Sequence, residues 1–66
     1  MDVDNVFMYH APKGDQAQRY EALRAAGKVF ALLVDESCPA SREKSTALTK
    51  IQEAVMWANA SIAVNE

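Results

Sequence analysis

The residues able to do chemistry are few and unevenly placed. His10 is the single histidine and Cys38 the single cysteine. They lie far apart along the chain. A Cys–His nucleophilic pair also needs an orienting third group and an oxyanion hole, and no segment carries a pattern for either. One histidine and one cysteine fall short of a four-ligand zinc site unless several carboxylates join them. Asp2 and Asp4 sit together near the start, and Asp35 and Glu36 adjoin at a helix end, where they point apart and read as solvated. Two glycines in the whole sequence leave no glycine-rich phosphate loop. The expectation is no catalytic residue, no metal ligand and no cofactor.

Binding is better served. Phe7, Met8, Tyr9 and His10 set planar and polarisable groups beside Pro12, Lys13 and Gly14, so an aromatic face can lie over a base with a cation near a phosphate. Packing of Phe7 and Tyr9 against the rest of the chain is the plainer account of the same residues. Tyr20, Arg24 and Lys28 recur at steps of four and share one helix face. A ring flanked by two cations suits a nucleotide, with stacking for the base and charge-assisted hydrogen bonds for the phosphate. Ordinary surface ion pairs to Glu21 would use the same two cations. Ser41, Arg42, Lys44 and Ser45 surround a helix start, where free backbone N–H groups favour anions; a simply capped helix with solvated charges explains them as well.

These residues are positioned by two long helices. Residues 1–14 form an arm without sustained period, ending in Ala11-Pro12-Lys13-Gly14, a turn signature. Asp15 reads as an N-cap, with Gln18 three residues on as a weak capping box. Tyr20, Leu23, Gly27, Phe30 and Val34 then recur at helical spacing, predicting a helix over 15–36. Gly27 inside it costs about 1 kcal/mol relative to alanine, and marks either a close backbone approach or a tolerated imperfection. Pro39 ends that helix and Ser41 caps a second over 42–64. Leu48, Ile51, Val55, Ala58 and Ile62 give it a 3-4-3-4 apolar seam. A short connection makes the two helices antiparallel neighbours. The predicted fold class is all-α, an antiparallel helical hairpin with a short N-terminal arm, in a single domain over 1–66.

That hairpin has more apolar surface than one partner helix covers. The run Ala54-Val55-Met56-Trp57-Ala58 is apolar nearly all round, as in a buried helix. Of the 66 residues 50% are hydrophobic and 24% charged. A chain this short buries about 60% of its unfolded surface and draws no more than ~3–5 kcal/mol from one core. A lone cysteine excludes an intramolecular disulfide framework, so association with further copies is expected. The net charge of −2 gives no general attraction to DNA, RNA or an anionic membrane. The longest apolar run, Val29 to Val34, is too short to cross a bilayer. Met1-Asp2-Val3-Asp4-Asn5 is acidic where a secretory signal begins basic, and the Asn59-Ala60-Ser61 sequon inside a helical pattern reads as coincidence. A reducing cytoplasm is the expected location.

Several stretches also resemble a known family. They are Tyr9-His10-Ala11-Pro12, Arg19-Tyr20-Glu21-Ala22-Leu23-Arg24, Cys38-Pro39-Ala40-Ser41-Arg42-Glu43-Lys44-Ser45 with Ala47-Leu48, and Glu53 through Ala63. Together they resemble the phage helical-hairpin family shared by anti-CBASS cyclic-oligonucleotide sponges and one type of Thoeris anti-defence sponge. The resemblance implies a homohexamer in the host cytoplasm that sequesters cyclic nucleotide immune signals without cleaving them. It implies pockets between protomers, with Tyr9 stacking on a base, Arg24 holding phosphate, and Phe7, His10 and Lys28 as neighbours. Cyclic dinucleotides, cyclic trinucleotides and cyclic ADP-ribose isomers are the ligands it suggests. The rival expectation is an oligomeric helical module that binds another protein through its Met56/Trp57 surface.

Overall fold

The computed structural model describes all 66 residues and is all-helical. A one-turn helix α1 (Val3–Val6) precedes α2 (Gln16–Ser37) and α3 (Arg42–Asn65). The two long helices fold back on one another as a hairpin. The turn in the arm is held by a local cap that periodicity does not reveal: Asp2 Oδ1 accepts the Asn5 N–H at 3.1 Å.

The start of α2 departs from expectation. Asp15 occupies the cap position but its side chain makes no capping bond; its carboxylate instead accepts from Arg19 Nε at 3.2 Å. The reciprocal cap forms two residues earlier. Gln16 Oε1 accepts the Lys13 N–H at 3.1 Å, and the Gln16 N–H donates to the Lys13 carbonyl at 3.1 Å. Gly14, at φ +58°, lies between them in the left-handed region that favours glycine. Lys13 and Gln16 thus do the work that the sequence assigns to Asp15 and Gln18.

At the other end, Cys38 is extended (φ −114°, ψ 138°), as the following proline requires. Ser41 Oγ caps α3 by accepting the Lys44 N–H at 3.1 Å. The Lys44 ammonium crosses back to the Asp35 carboxylate at 3.1 Å and donates to the Asp35 carbonyl at 2.9 Å. Asp35 is therefore paired rather than merely solvated, and Lys44 is withdrawn from the anion site considered at this helix start.

The seam on α3 runs through Leu48, Ile51, Val55, Ala58 and Ile62, all half-buried. On α2 the half-buried stripe is Tyr20, Leu23, Gly27, Ala31 and Val34, continued by Cys38 just past its end. Phe30 does not belong to it and is 55% exposed. The reason is helical pitch: a step of three from Gly27 to Phe30 drifts off the face, whereas a step of four to Ala31 restores the ~3.6-residue period. Gly27 is a site of close approach. A Cβ built there meets Val55 Cγ2 at 2.6 Å, so only glycine permits this helix spacing.

Nothing lies fully inside. Gln16, at 4% exposure, is the one buried residue, and no hydrophobic residue is buried. The molecule measures 42 × 25 × 13 Å, and the short dimension is about one helix thick. Its radius of gyration, 14.6 Å, exceeds the ~11 Å of a compact domain of this length. Its 5242 Å² of accessible surface compares with roughly 4,200 Å² for a compact chain of this mass. Met56 and Trp57 are 60% and 72% exposed, and Val29, Leu32 and Leu33 on α2 are exposed as well.

Gly27→Ala should test the close approach. Alanine gains about 1 kcal/mol of helix propensity, but overpacking against a stiff β-branched side chain costs ~1–3 kcal/mol. Thermal unfolding at fixed concentration should show a net loss, and Val55→Ala in the same chain should recover part of it. A stabilised Gly27→Ala protein would show that the contact relaxes freely.

Candidate functional site

Three grooves bring the polar and aromatic side chains together. The first, about 540 Å³, has Gly27, Ala31, Leu48, Ile51, Val55 and Met56 as an apolar lining, with Arg24, Lys28, Gln52 and Asn59 as its polar groups. The second, about 420 Å³, lies where the arm meets the end of α3, and Tyr9, His10, Lys13, Gln16 and Glu66 line it with Asn5 and Val64. The third, about 290 Å³, is formed by His10, Tyr20, Arg24, Asn59, Ala60 and Ala63.

The five residues singled out from the sequence fall unequally among these. Arg24 lines the first and third grooves, Lys28 the first, Tyr9 the second, and His10 the second and third. Phe7 lines none of the three and is exposed. Tyr9 and Arg24 share no groove within one chain; the ring beside Arg24 is Tyr20. Neither Arg24 nor Lys28 enters an ion pair, since the four pairs of the chain use Arg19 (twice), Lys44 and Lys50. The Glu21 pairing that spacing offered as the alternative does not form, which leaves both guanidinium and ammonium unpaired at the groove rim.

The arm is tied to the end of the chain by long-range bonds and braced by one within itself. Asn5 Nδ2 donates to the Val64 carbonyl at 3.0 Å, and His10 Nε2 donates to the Asn5 carbonyl at 2.7 Å. Lys13 Nζ donates to the Glu66 backbone oxygen at 2.7 Å, and Gln16 Nε2 to Glu66 Oε1 at 3.3 Å. Arg19 grips the Glu66 carboxylate with both terminal nitrogens, Nη1 at 2.8 Å from Oε2 and Nη2 on Oε1. Bidentate guanidinium–carboxylate geometry is the strong form of this bond. It holds the Glu66 carboxyl at about 2, against a usual 4.5; the Arg19 hydrogen bond is the first cause and the Gln16 hydrogen bond the second. The same contact raises Arg19.

The sequence singled out none of Asn5, Gln16, Arg19, Asn59 or Glu66 as a site residue. Asn59 carried the only available signal, a carboxamide among the apolar residues beside the α3 seam. It is half-buried, and its Oδ1 is buried without a hydrogen-bond partner. No three His, Cys, Asp or Glu side chains cluster to hold a metal ion, and no helix is long and apolar enough to cross a membrane.

Fold and grooves together define a small helical-hairpin domain with unpaired cations and aromatic rings along its helix interface. The family model of the Acb2/Tad1 hairpin domain matches residues 1–63, and the chain belongs to that family, the anti-CBASS and anti-Thoeris sponges. The family binds and sequesters cyclic nucleotide signals. No curated protein and no solved structure matches the chain.

The Glu66 clamp has a signed pH dependence. Its carboxyl lies below the usual value in the folded protein, so its stabilisation is present above pH 4.5 and is lost as pH falls towards about 2. Thermal melts across that window should fall more steeply for the parent than for Glu66→Gln, and less so in high salt because the pair is exposed. Parallel curves would remove the clamp from the stability of the hairpin.

Proposed function

We propose that the protein is a phage anti-defence sponge that captures cyclic di- or oligonucleotides, or cyclic ADP-ribose isomers, at pockets between subunits of a homohexamer and does not cleave them. It acts in the host cytoplasm. The observation that carries this reading is the placement of Arg24 and Lys28, two unpaired cations on an apolar groove, with Tyr9 in a different groove of the same chain. A ligand that stacks on Tyr9 and pairs with Arg24 is held most simply by two copies. Phe7, exposed on the arm, then meets ligand or neighbour only in the assembly. The thin shape and uncovered Met56, Trp57 and Leu33 support self-association, since a standard interface buries ~800 Å² per partner.

Stacking contributes ~1–3 kcal/mol per base and a charged hydrogen bond ~1.5–3 kcal/mol. Two such sets around one anionic ligand give tight capture with no bond broken. The rival reading, a protein-interaction module, draws on the exposed Met56/Trp57 surface. It predicts no response to cyclic nucleotides.

Native mass spectrometry should give six times the 7.3 kDa chain. Trp57→Glu should dissociate the assembly, because the interface would bury an unpaired carboxylate; a folded monomeric parent removes the interfacial pocket altogether. A cyclic dinucleotide in excess should raise the melting temperature by mass action.

By calorimetry, Tyr9→Ala and Arg24→Ala should each weaken cyclic-nucleotide binding at least ~10-fold with ligand-free mass and melting unchanged. Tyr20→Ala should reduce stability more than affinity, given its half-buried place on the α2 stripe. If Tyr20→Ala folds normally and loses ligand while Tyr9→Ala binds like the parent, the stacking ring is Tyr20. Failure of every cyclic nucleotide to bind the parent leaves the interaction-module reading.

A further inference from the structure

His10 and Ala63 line both the groove that holds Tyr9 and a groove that holds Arg24, and His10 is the one polar side chain of the two. We propose that His10 reads the base of the bound cyclic nucleotide, its Nδ1 accepting a hydrogen bond from a purine exocyclic amine. This rests on the sponge reading above and assigns a role within that site.

The argument starts from the polarity of the imidazole. Nε2 lies 2.7 Å from the Asn5 carbonyl oxygen. A carbonyl only accepts, so Nε2 carries the hydrogen, and in the neutral ring Nδ1 is then an acceptor. The Asn5 carbonyl is itself fixed, because the Asn5 side chain donates to the Val64 carbonyl and the Asn5 N–H to Asp2. The tautomer is therefore set by the anchoring of the arm. No group of the chain donates to Nδ1; the Nε2 contact is the ring's one hydrogen bond.

The groove that His10 lines has a matching deficit. Arg24, in the same lining, pairs with no carboxylate, and His10 Nδ1 has no donor. The site thus lacks one anion and one donor. Phosphodiesters supply the anion and carry no hydrogen, so the donor belongs to the base or the ribose. Tyr9 and His10 line the same groove, and a base lying on the Tyr9 ring is the part of the ligand carried towards the imidazole. A site built to hydrogen-bond a ligand N–H rejects the analogue lacking it, because the protein acceptor is then left unpaired.

Two ligand pairs differ by that amine alone: cyclic di-guanylate against cyclic di-inosinate, and cyclic di-adenylate against its 6-unsubstituted purine analogue. Calorimetry on the parent protein should show about a 10-fold preference for the amine-bearing member in at least one pair. His10→Gln places an amide nitrogen where Nε2 donates to Asn5 but removes the Nδ1 acceptor. Its ligand-free melting and mass should match the parent, and its preference should fall to within about 2-fold. His10→Asn keeps an oxygen near the Nδ1 position and loses the Asn5 contact; it should retain part of the preference.

Equal binding within both pairs by the parent overturns the proposal, as it would if the ribose hydroxyl were the donor. So does a His10→Gln protein that keeps the full preference. A parent that binds none of the four ligands also overturns this proposal, and the sponge reading falls with it only if cyclic trinucleotides and cyclic ADP-ribose isomers fail to bind as well.

Discussion

The contact between Gly27 and Val55 sets the geometry of everything else. With no Cβ at Gly27, the backbone of α2 comes within side-chain reach of α3, and small residues suffice beside the crossing. Ala31 and Ala58 flank that crossing as half-buried small residues. The same closeness brings Arg24 and Lys28 on α2 to the edge of the groove whose other wall is Val55 and Met56. A wider spacing would admit larger core residues, but it would also separate the cations from that wall. The glycine therefore forgoes helix propensity in exchange for a shallow surface on which charge and apolar area meet.

Charge pairing explains why those two cations stay free. The acidic groups that engage a partner do so at the ends of the hairpin or on an exposed turn of α3: Asp15 and Glu66 hold Arg19, Asp35 holds Lys44, and Glu53 meets Lys50. Between the two ends the α2 face has no carboxylate aimed at Arg24 or Lys28. A guanidinium without a carboxylate keeps its full complement of donors, which is what a phosphate requires. An overall acidic protein thus carries a locally cationic strip.

Most of the architecture was legible in the sequence because it depends on local periodicity. The α3 seam from Leu48 to Ile62, the break at Pro39 and the Ser41 cap follow from spacing and backbone chemistry alone. Phe30 was misplaced because heptad-like counting slips from the true helical pitch over several turns. Asp15 was misread because a good capping residue was available to Arg19, and Gln16 had a better geometry with Lys13. The site was less legible. Arg24 and Lys28 share a face at a step of four, which spacing alone reveals; their lack of partners does not follow from spacing. The bonds from Asn5 to Val64 and from Arg19 to Glu66 join residues 59 and 47 positions apart, and no short-range pattern encodes them.

Those long bonds have a consequence for affinity. A flexible aromatic arm would have to be ordered at the moment of binding, and the lost chain entropy, roughly 1–2 kcal/mol for each backbone residue fixed, would be subtracted from the contacts formed. Here Asn5 and Lys13 already fasten the arm to the C-terminal end of α3, and His10 braces it through Asn5, so that ordering is part of folding. The Tyr9 ring, 80% exposed, is offered to solvent on a segment that is hydrogen-bonded at Asn5, His10 and Lys13. Preorganisation of this kind raises affinity without requiring a larger interface, so under the proposed function the far end of the chain, through Val64 and Glu66, would bear on how long a ligand stays.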